Sequence, residues 1–151
     1  MNRENLFKAK RKDWKELLRE QWWVEGYYIY DYCKNMHLIL RNELSTCLNA
    51  GSKPNRYDWT LEPHEIDPDT ICQYTGLTDK NGRKIWENDI LRRDGYWDIR
   101  IEFENGAFMI KNADKVQYIN RVVYTPISIF NINAYEVIGN IFDNPELLEV
   151  K

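Results

Sequence analysis

"YWDIRIEFENGAFMIK", residues 96–111, is the stretch whose reading decides the fold. Its side chains alternate with a period of two. Trp97, Ile99, Ile101 and Phe103 share one face and Asp98, Arg100 and Glu102 the other, the pattern of a strand with one side buried. Asn105-Gly106 follows, the dipeptide best suited to the left-handed positions of a tight hairpin turn, and "AFMIK" returns as the second strand. An antiparallel hairpin therefore anchors the reading, and the flanking segments are read as further pieces of a mainly β protein.

Immediately upstream, "TGLTDKNGRKIWENDIL" (75–91) carries two turn signals. Cys72–Thr75 reads as a short strand that leads into Gly76. In "DKNG", Asp79 opens the turn, Asn81 tolerates positive φ and Gly82 suits it. Ile85 and Trp86 then point inward and lock the start of a strand over Ile90–Arg93, with "ENDI" as the second turn. Downstream, "NADKVQYI" reads as a helical turn or loop, "RVVYT" as a strand halted by Pro126, and "AYEVIGNIF", which contains Gly139, as a last strand. Asn144 before Pro145 starts a short helix over Pro145–Val150, with Pro at its first position and Glu146 near the positive end of its dipole.

Towards the amino terminus, Leu6–Lys10 alternates as an edge strand. Asp13 is placed to cap a short helix carrying Trp14, Leu17, Leu18 and Gln21–Trp22 at helical spacing. "WVEGYYIYDYC" returns to a period near two, with Tyr28, Tyr30 and Tyr32 on one face, Tyr27 and Ile29 on the other, and Gly26 as a bulge. "MHLILRNEL" reads as a strand and "NAGSKPNRYDW" as a loop. Pro63 and Pro68 hold "EPHEIDPDTICQYTGL" extended, because each pushes its predecessor out of helical geometry. No internal repeat or linker-like composition separates independent domains.

The chain has 151 residues, 43% hydrophobic and 30% charged, which is globular and enough for one self-sufficient core. A 14% aromatic share, with six Trp and ten Tyr, favours strands and supplies rings for a contact surface as well as for the core. A net charge of -3 argues against binding nucleic acid by global attraction. Up to residue 20, seven bases stand against four acids, a solvated face or a local contact patch. Three widely spaced cysteines, Cys33, Cys47 and Cys72, with no secretory leader pattern, point to a cytoplasmic protein rather than a disulfide framework. No run approaches the ~20 apolar residues of a membrane span.

Three blocks, "DPDTICQYTGLTDKNGRKIWENDIL" (67–91), "IEFENGAFMI" (101–110) and "EVIGNIFDNPELL" (136–148), occur in this order. With "FKAKR" and "WVEGYYIYD" more loosely, they make the chain resemble the YopX-like proteins of phages and prophages. The resemblance implies a small, mainly β phage or prophage protein and brings no general activity, cofactor or catalytic residue with it. The helix-like "DWKELLREQW" is longer than the short turn that family members more often have there. The strand, hairpin and returning strand also resemble the meander of an SH3-like, partly open barrel. The expected organisation is an amino-terminal β subdomain with a short helix over 1–66 and the barrel over 67–151. Gly76, Asp79, Asn81, Gly82, Trp86 and Gly139 are its structural motif residues.

Chemical sites are sparse. Cys33 with His37, or His64 with Glu65, Asp67 and Asp69, would be the metal candidates. Neither has the paired ligand spacing of structural zinc, and the acidic run lacks the alternation of a calcium loop. Glu87 and Asp89 form a carboxylate pair, but beside a turn Asn88 and Asp89 more simply bond the local backbone. With no nucleophile motif or phosphate-cradling glycine loop, no enzyme, metal or cofactor is expected. Arg92, Arg93, Tyr96, Trp97 and Arg100 interleave charge with rings, as in proteins that stack single-stranded nucleic acid, although Trp97 falls on the apolar face. Tyr28, Tyr30 and Tyr32 favour a different role, a contact face for a host or phage protein or a second subunit. The resulting expectation is a non-catalytic binding or assembly protein, a homo-oligomer, with single-stranded nucleic acid as the alternative partner and no membrane.

Overall fold

The computed structural model describes residues 4–44, 59–112, 125–127 and 131–148. The loop read from residue 49, the segment after Asn112 and the strand before Thr125 lie outside the described residues, as does Cys47. The chain folds as two compact units that divide between Ile71 and Cys72. Both are built from antiparallel strands, and the only helical elements among the described residues are short 3₁₀ turns. Among those residues, no helix is long and apolar enough to cross a membrane.

In the first unit, β1 (Phe7–Lys10), β2 (Trp23–Asp31), β3 (Met36–Leu44) and β4 (Trp59–Glu65) lie in the order β4-β3-β2-β1. Phe7 pairs with Gly26, Tyr27 with Leu40 and Leu40 with Pro63. Ala9, Val24 and Ile39 meet Ile66 in a small core, flanked by Phe7, Tyr28 and Ile71. After β4, the Asp67 N–H donates to the Lys10 carbonyl (2.9 Å), and the Lys10 N–H donates to Thr70 Oγ1 (2.8 Å). These bonds fasten residues 67–71 to β1. Asp67 is extended before Pro68, as expected, and its carboxylate accepts the Asp69 N–H (3.1 Å) at the start of a 3₁₀ turn.

Two expectations in this unit are corrected. The β1–β2 register runs without a shift, so Gly26 makes no bulge. It is glycine because a Cβ there would overlap the Leu40 carbonyl oxygen on β3. The short helix after Asp13 is also absent. Two 3₁₀ turns, Trp14–Glu16 and Arg19–Gln21, are separated by extended Leu17 and Leu18. Asp13 makes no side-chain cap, and its carboxylate faces Arg11 (3.8 Å). Ring packing explains the failure of the helical spacing: Trp14 and Trp22 meet edge to face (4.9 Å), and the Trp22 indole N–H donates to the Leu17 carbonyl (3.1 Å).

The second unit opens with the antiparallel pair β5 (Cys72–Thr78) and β6 (Lys84–Trp86). It continues with β7 (Asp89–Arg92), β8 (Ile99–Glu104), β9 (Ala107–Asn112), β10 (Thr125–Pro126) and β11 (Glu136–Asn140), in the order β10-β9-β8-β7-β11. Among the described residues this sheet is open and closes into no barrel. The hairpin turns as read: Asn105 and Gly106 have φ of 53° and 80°, and Ile101 faces Ile110 across the pair. Ile85, Leu91, Ile101 and Ile110 are fully buried, each contributing about 1.5–3 kcal/mol on transfer from water. Two residues of the expected apolar face are not core. Trp97 lies before β8 in a loop and is 56% exposed, and Phe103, at the hairpin end, is nearly half-exposed against the edge of Phe108.

The turn at 79–83 does more than join β5 to β6. The Asp79 carboxylate accepts N–H groups from Asn81 (2.8 Å), Arg83 (2.9 Å) and Val137 (3.1 Å). Arg83 Nη1 donates to the Val137 carbonyl (3.3 Å), and the Lys80 N–H donates to Tyr135 (2.9 Å). The turn thereby satisfies the outward backbone groups of β11 at Val137, where another chain would otherwise add a strand. Asn81 needs no positive φ for this. Gly82 uses it in this turn (φ 78°), as read, and Asn88 uses it in the next (φ 67°), where its N–H donates to the Ile101 carbonyl (2.7 Å) and its carbonyl accepts from Ile141 (3.1 Å). Gly139 leaves room for Asn144, whose side chain a Cβ would strike. The final helix is a 3₁₀ turn, Pro145–Leu148.

Candidate binding surfaces

Alternation along β2 gives the first unit's sheet two unlike faces. Tyr28 and Tyr30 turn to the inner side, where the Tyr28 hydroxyl is hydrogen-bonded to His37 Nδ1 (2.8 Å) and the Tyr30 ring lies 4.8 Å from the same imidazole. Tyr30 also donates to Asn35, and Tyr32 meets Tyr30 edge to face (4.6 Å) while remaining 86% exposed in the hairpin turn. The three predicted tyrosines are therefore brought together, but Tyr28 and Tyr30 are used within the unit. The open side carries Tyr27 and Ile29, 50% and 43% exposed. They stand opposite half-buried Leu40 and Leu38, with exposed Pro63 beside Leu40.

On that outer side, nearer the start of β2, lies a feature the sequence reading missed. The Lys10 side chain is only 2% exposed, with its ammonium 3.9 Å from the Trp14 ring centre, 4.5 Å from Trp22 and 5.7 Å from Trp23. Lys8 lies over Trp23 at 5.0 Å. The available signal is the interleaving of Lys and Trp over residues 8–23, which local pattern divides between an edge strand and a short helix.

In the second unit, Arg92 ends β7, and Arg93 and Tyr96 lie in the loop between β7 and β8. Arg92 grips Asp98 with two bonds (2.9 and 2.7 Å), closing the loop's neck. The Tyr96 N–H donates to the Arg93 carbonyl (3.0 Å), and the Arg93 guanidinium stacks 4.2 Å from the Tyr96 ring centre. Tyr96 is 58% exposed. Burial pushes the phenol of neighbouring Tyr135 above its usual range, against the pull of Arg93. Arg100, grouped with these residues in the sequence, is engaged by Glu102 on β8.

Four of the carboxylates weighed for chemistry have local partners. Glu65 pairs with Lys12 and Asp67 bonds the backbone of its own turn. Asp89 accepts the Trp86 N–H (2.8 Å), and Glu87 accepts the Gln73 N–H (3.3 Å) while burial raises its carboxyl above the usual range. A cavity of about 500 Å³ in the first unit is lined by Arg11, Lys12, Asp13, Glu16, Pro63, His64 and Glu65, so charges of both signs face it. Cys33 is exposed and Cys72 buried, both as thiols. Among the described residues, no three His, Cys, Asp or Glu side chains are grouped to hold a metal.

No curated protein matches the chain. The crystal structure of protein EF1440 from Enterococcus faecalis is similar at 26% identity over 98% of this chain and 100% of that one, with a TM-score of 0.49. The family described as YopX protein matches over residues 14–149, nearly the whole chain, including the turn at 79–83 and the strand whose edge it satisfies. The chain belongs to the YopX family.

Proposed function

We propose that this is a non-catalytic phage or prophage assembly protein of the host cytoplasm, whose first unit pairs with a second copy of the chain through the outer face of β2 and β3. The observation that carries this reading is the row of Tyr27 and Ile29 open to solvent opposite Leu40 and Leu38. The centre of this patch is uncharged. Its β1 side carries both signs, Lys8 registered against Glu25, so the face is complementary to itself, as a two-fold contact requires. A non-catalytic role is supported by Asp79 and Asp89, whose carboxylates are bonded to backbone N–H groups. The meander β7-β8-β9-β10 with returning β11 supports our finer reading of the second unit as SH3-like.

Light scattering over a concentration series tests the assembly. The expected result is a mass rising towards two chains, and a single-chain mass for a Tyr27→Ser, Ile29→Thr double variant, whose exposed sites leave the fold intact. One-chain mass at every concentration would sink the reading. A second reading, single-stranded nucleic acid on the β7–β8 loop, is favoured by the Arg93–Tyr96 stack, which presents a ring and a cation together. Its test is a labelled oligonucleotide at low and high salt, where a salt-sensitive signal is expected.

A further inference from the structure

The β7–β8 loop differs from the outer face of β2 in both chemistry and rigidity. We propose that Trp97, Tyr96 and Arg93 form a preorganised anchor that docks into an apolar cleft rimmed by carboxylates on a partner protein. The inference concerns the same loop as the nucleic-acid reading and assigns it the other class of partner.

Three observations carry it. First, the exposed groups are a Trp, a Tyr and an Arg, the residue types that dominate binding energy at protein interfaces. Trp97 and Tyr96 leave more than half of their surfaces in water, although the core of the same unit lies only two residues on, at Ile99. Second, the loop is already ordered. The two-bond Arg92–Asp98 clamp, the Tyr96 N–H bond to Arg93 and the left-handed Gly95 (φ 78°) hold its shape, so docking costs little conformational entropy. Third, the charges select the partner. Arg92 is neutralised by Asp98, and Asp94 acts electrostatically on Lys80. Among the described residues no carboxylate pairs with Arg93, whose stacked guanidinium keeps its N–H fork for an incoming acid. A phosphate backbone is held by several cations at once, and among the described residues of this loop Arg93 is the one cation without a carboxylate partner and stands next to Asp94. A carboxylate beside an apolar pocket fits that balance.

The indole N–H signal of Trp97 in ¹⁵N-labelled protein, assigned with Trp97→Phe, provides the readout, and buried Trp86 serves as the internal control. The probes are a synthetic peptide alternating Leu and Glu, its Leu and Lys counterpart, and oligothymidylate at low salt. Saturable movement of the Trp97 signal with the Leu/Glu peptide alone is expected. Arg93→Gln should weaken that binding about tenfold, and Trp97→Ala, followed on the backbone amide signal of Tyr96, about thirtyfold or more. Silence with the Leu/Glu peptide, or equal movement with both peptides, overturns the proposal. Movement with oligothymidylate alone overturns it in favour of the nucleic-acid reading, whereas silence with all three probes removes both. The self-association test is unaffected by any of these outcomes, because Tyr27 and Ile29 lie on the other unit.

Discussion

Both units take full charge out of water among the described residues, Lys10 in the first and Asp79 and Asp89 in the second, and Lys10 and Asp79 do it differently. Asp79 in the second unit is 4% exposed and Lys10 in the first 2%. The anion is held by three backbone N–H groups, each with a direction and a length. Burial alone would raise its pKa, but these bonds and nearby Arg83 outweigh burial, and the carboxyl sits below its usual range. The cation is surrounded by indole faces, which attract over a broad range of angles. The difference has a structural result. The bonds of Asp79 define a turn and satisfy the edge of β11, while the rings around Lys10 hold residues 11–22 close to the sheet as two loose 3₁₀ turns.

The comparison can be broken most directly at Asp79. Asp79→Ala leaves three N–H groups without this acceptor, that of Val137 buried and those of Asn81 and Arg83 partly so, and should cost about 3 kcal/mol, read by urea unfolding. The pH dependence has a definite sign. Since the folded pKa is below the unfolded value, the unfolded chain binds the proton more readily. The contribution of Asp79 is complete above about pH 4 and is lost as pH falls through the folded value. Acid unfolding of wild type and Asp79→Asn should therefore converge at low pH, and parallel curves would remove the carboxylate from the account.

Gly26→Ala should cost about 2 kcal/mol, because the clash is with the Leu40 backbone and β2 and β3 must separate to relieve it. Thermal unfolding would check this, and an unchanged midpoint would restore the bulge we read from the sequence. The smallest effect belongs to Lys10→Met, about 1 kcal/mol, since the thioether keeps the packing and loses the attraction of the ammonium for the rings. A cost equal to that of Asp79→Ala would show that the indole cage is as directional as the carboxylate bonds.

What could be read in advance follows from the range of the forces involved. Asn105-Gly106 and the alternation from Ile99 to Glu102 are local, because turn dihedrals and pleat direction depend on adjacent residues. Asp79 was legible as a turn former, but its bond to Val137 spans 58 positions and has no local signature. Trp97 was assigned to the core because the alternation was extended backwards past Asp98, and only the Arg92–Asp98 clamp shows that the strand begins later. Arg92, Arg93 and Tyr96 lie close together simply because they are neighbours in sequence. The tyrosines of β2 were divided into the right two faces, but which face is open depends on where Ile66 and Ile71 pack.

By itself the sequence determined a mainly antiparallel β protein of the YopX family, the 105–106 hairpin and the turn at 79–82, since each rests on side-chain period and backbone preference within a few residues. Only the tertiary structure decided that this turn satisfies a sheet edge, that Lys10 lies among three indoles, and that Tyr27 and Trp97 face water. Those outcomes depend on contacts between residues distant in the chain, and burial is a property of what arrives from elsewhere to cover a side chain.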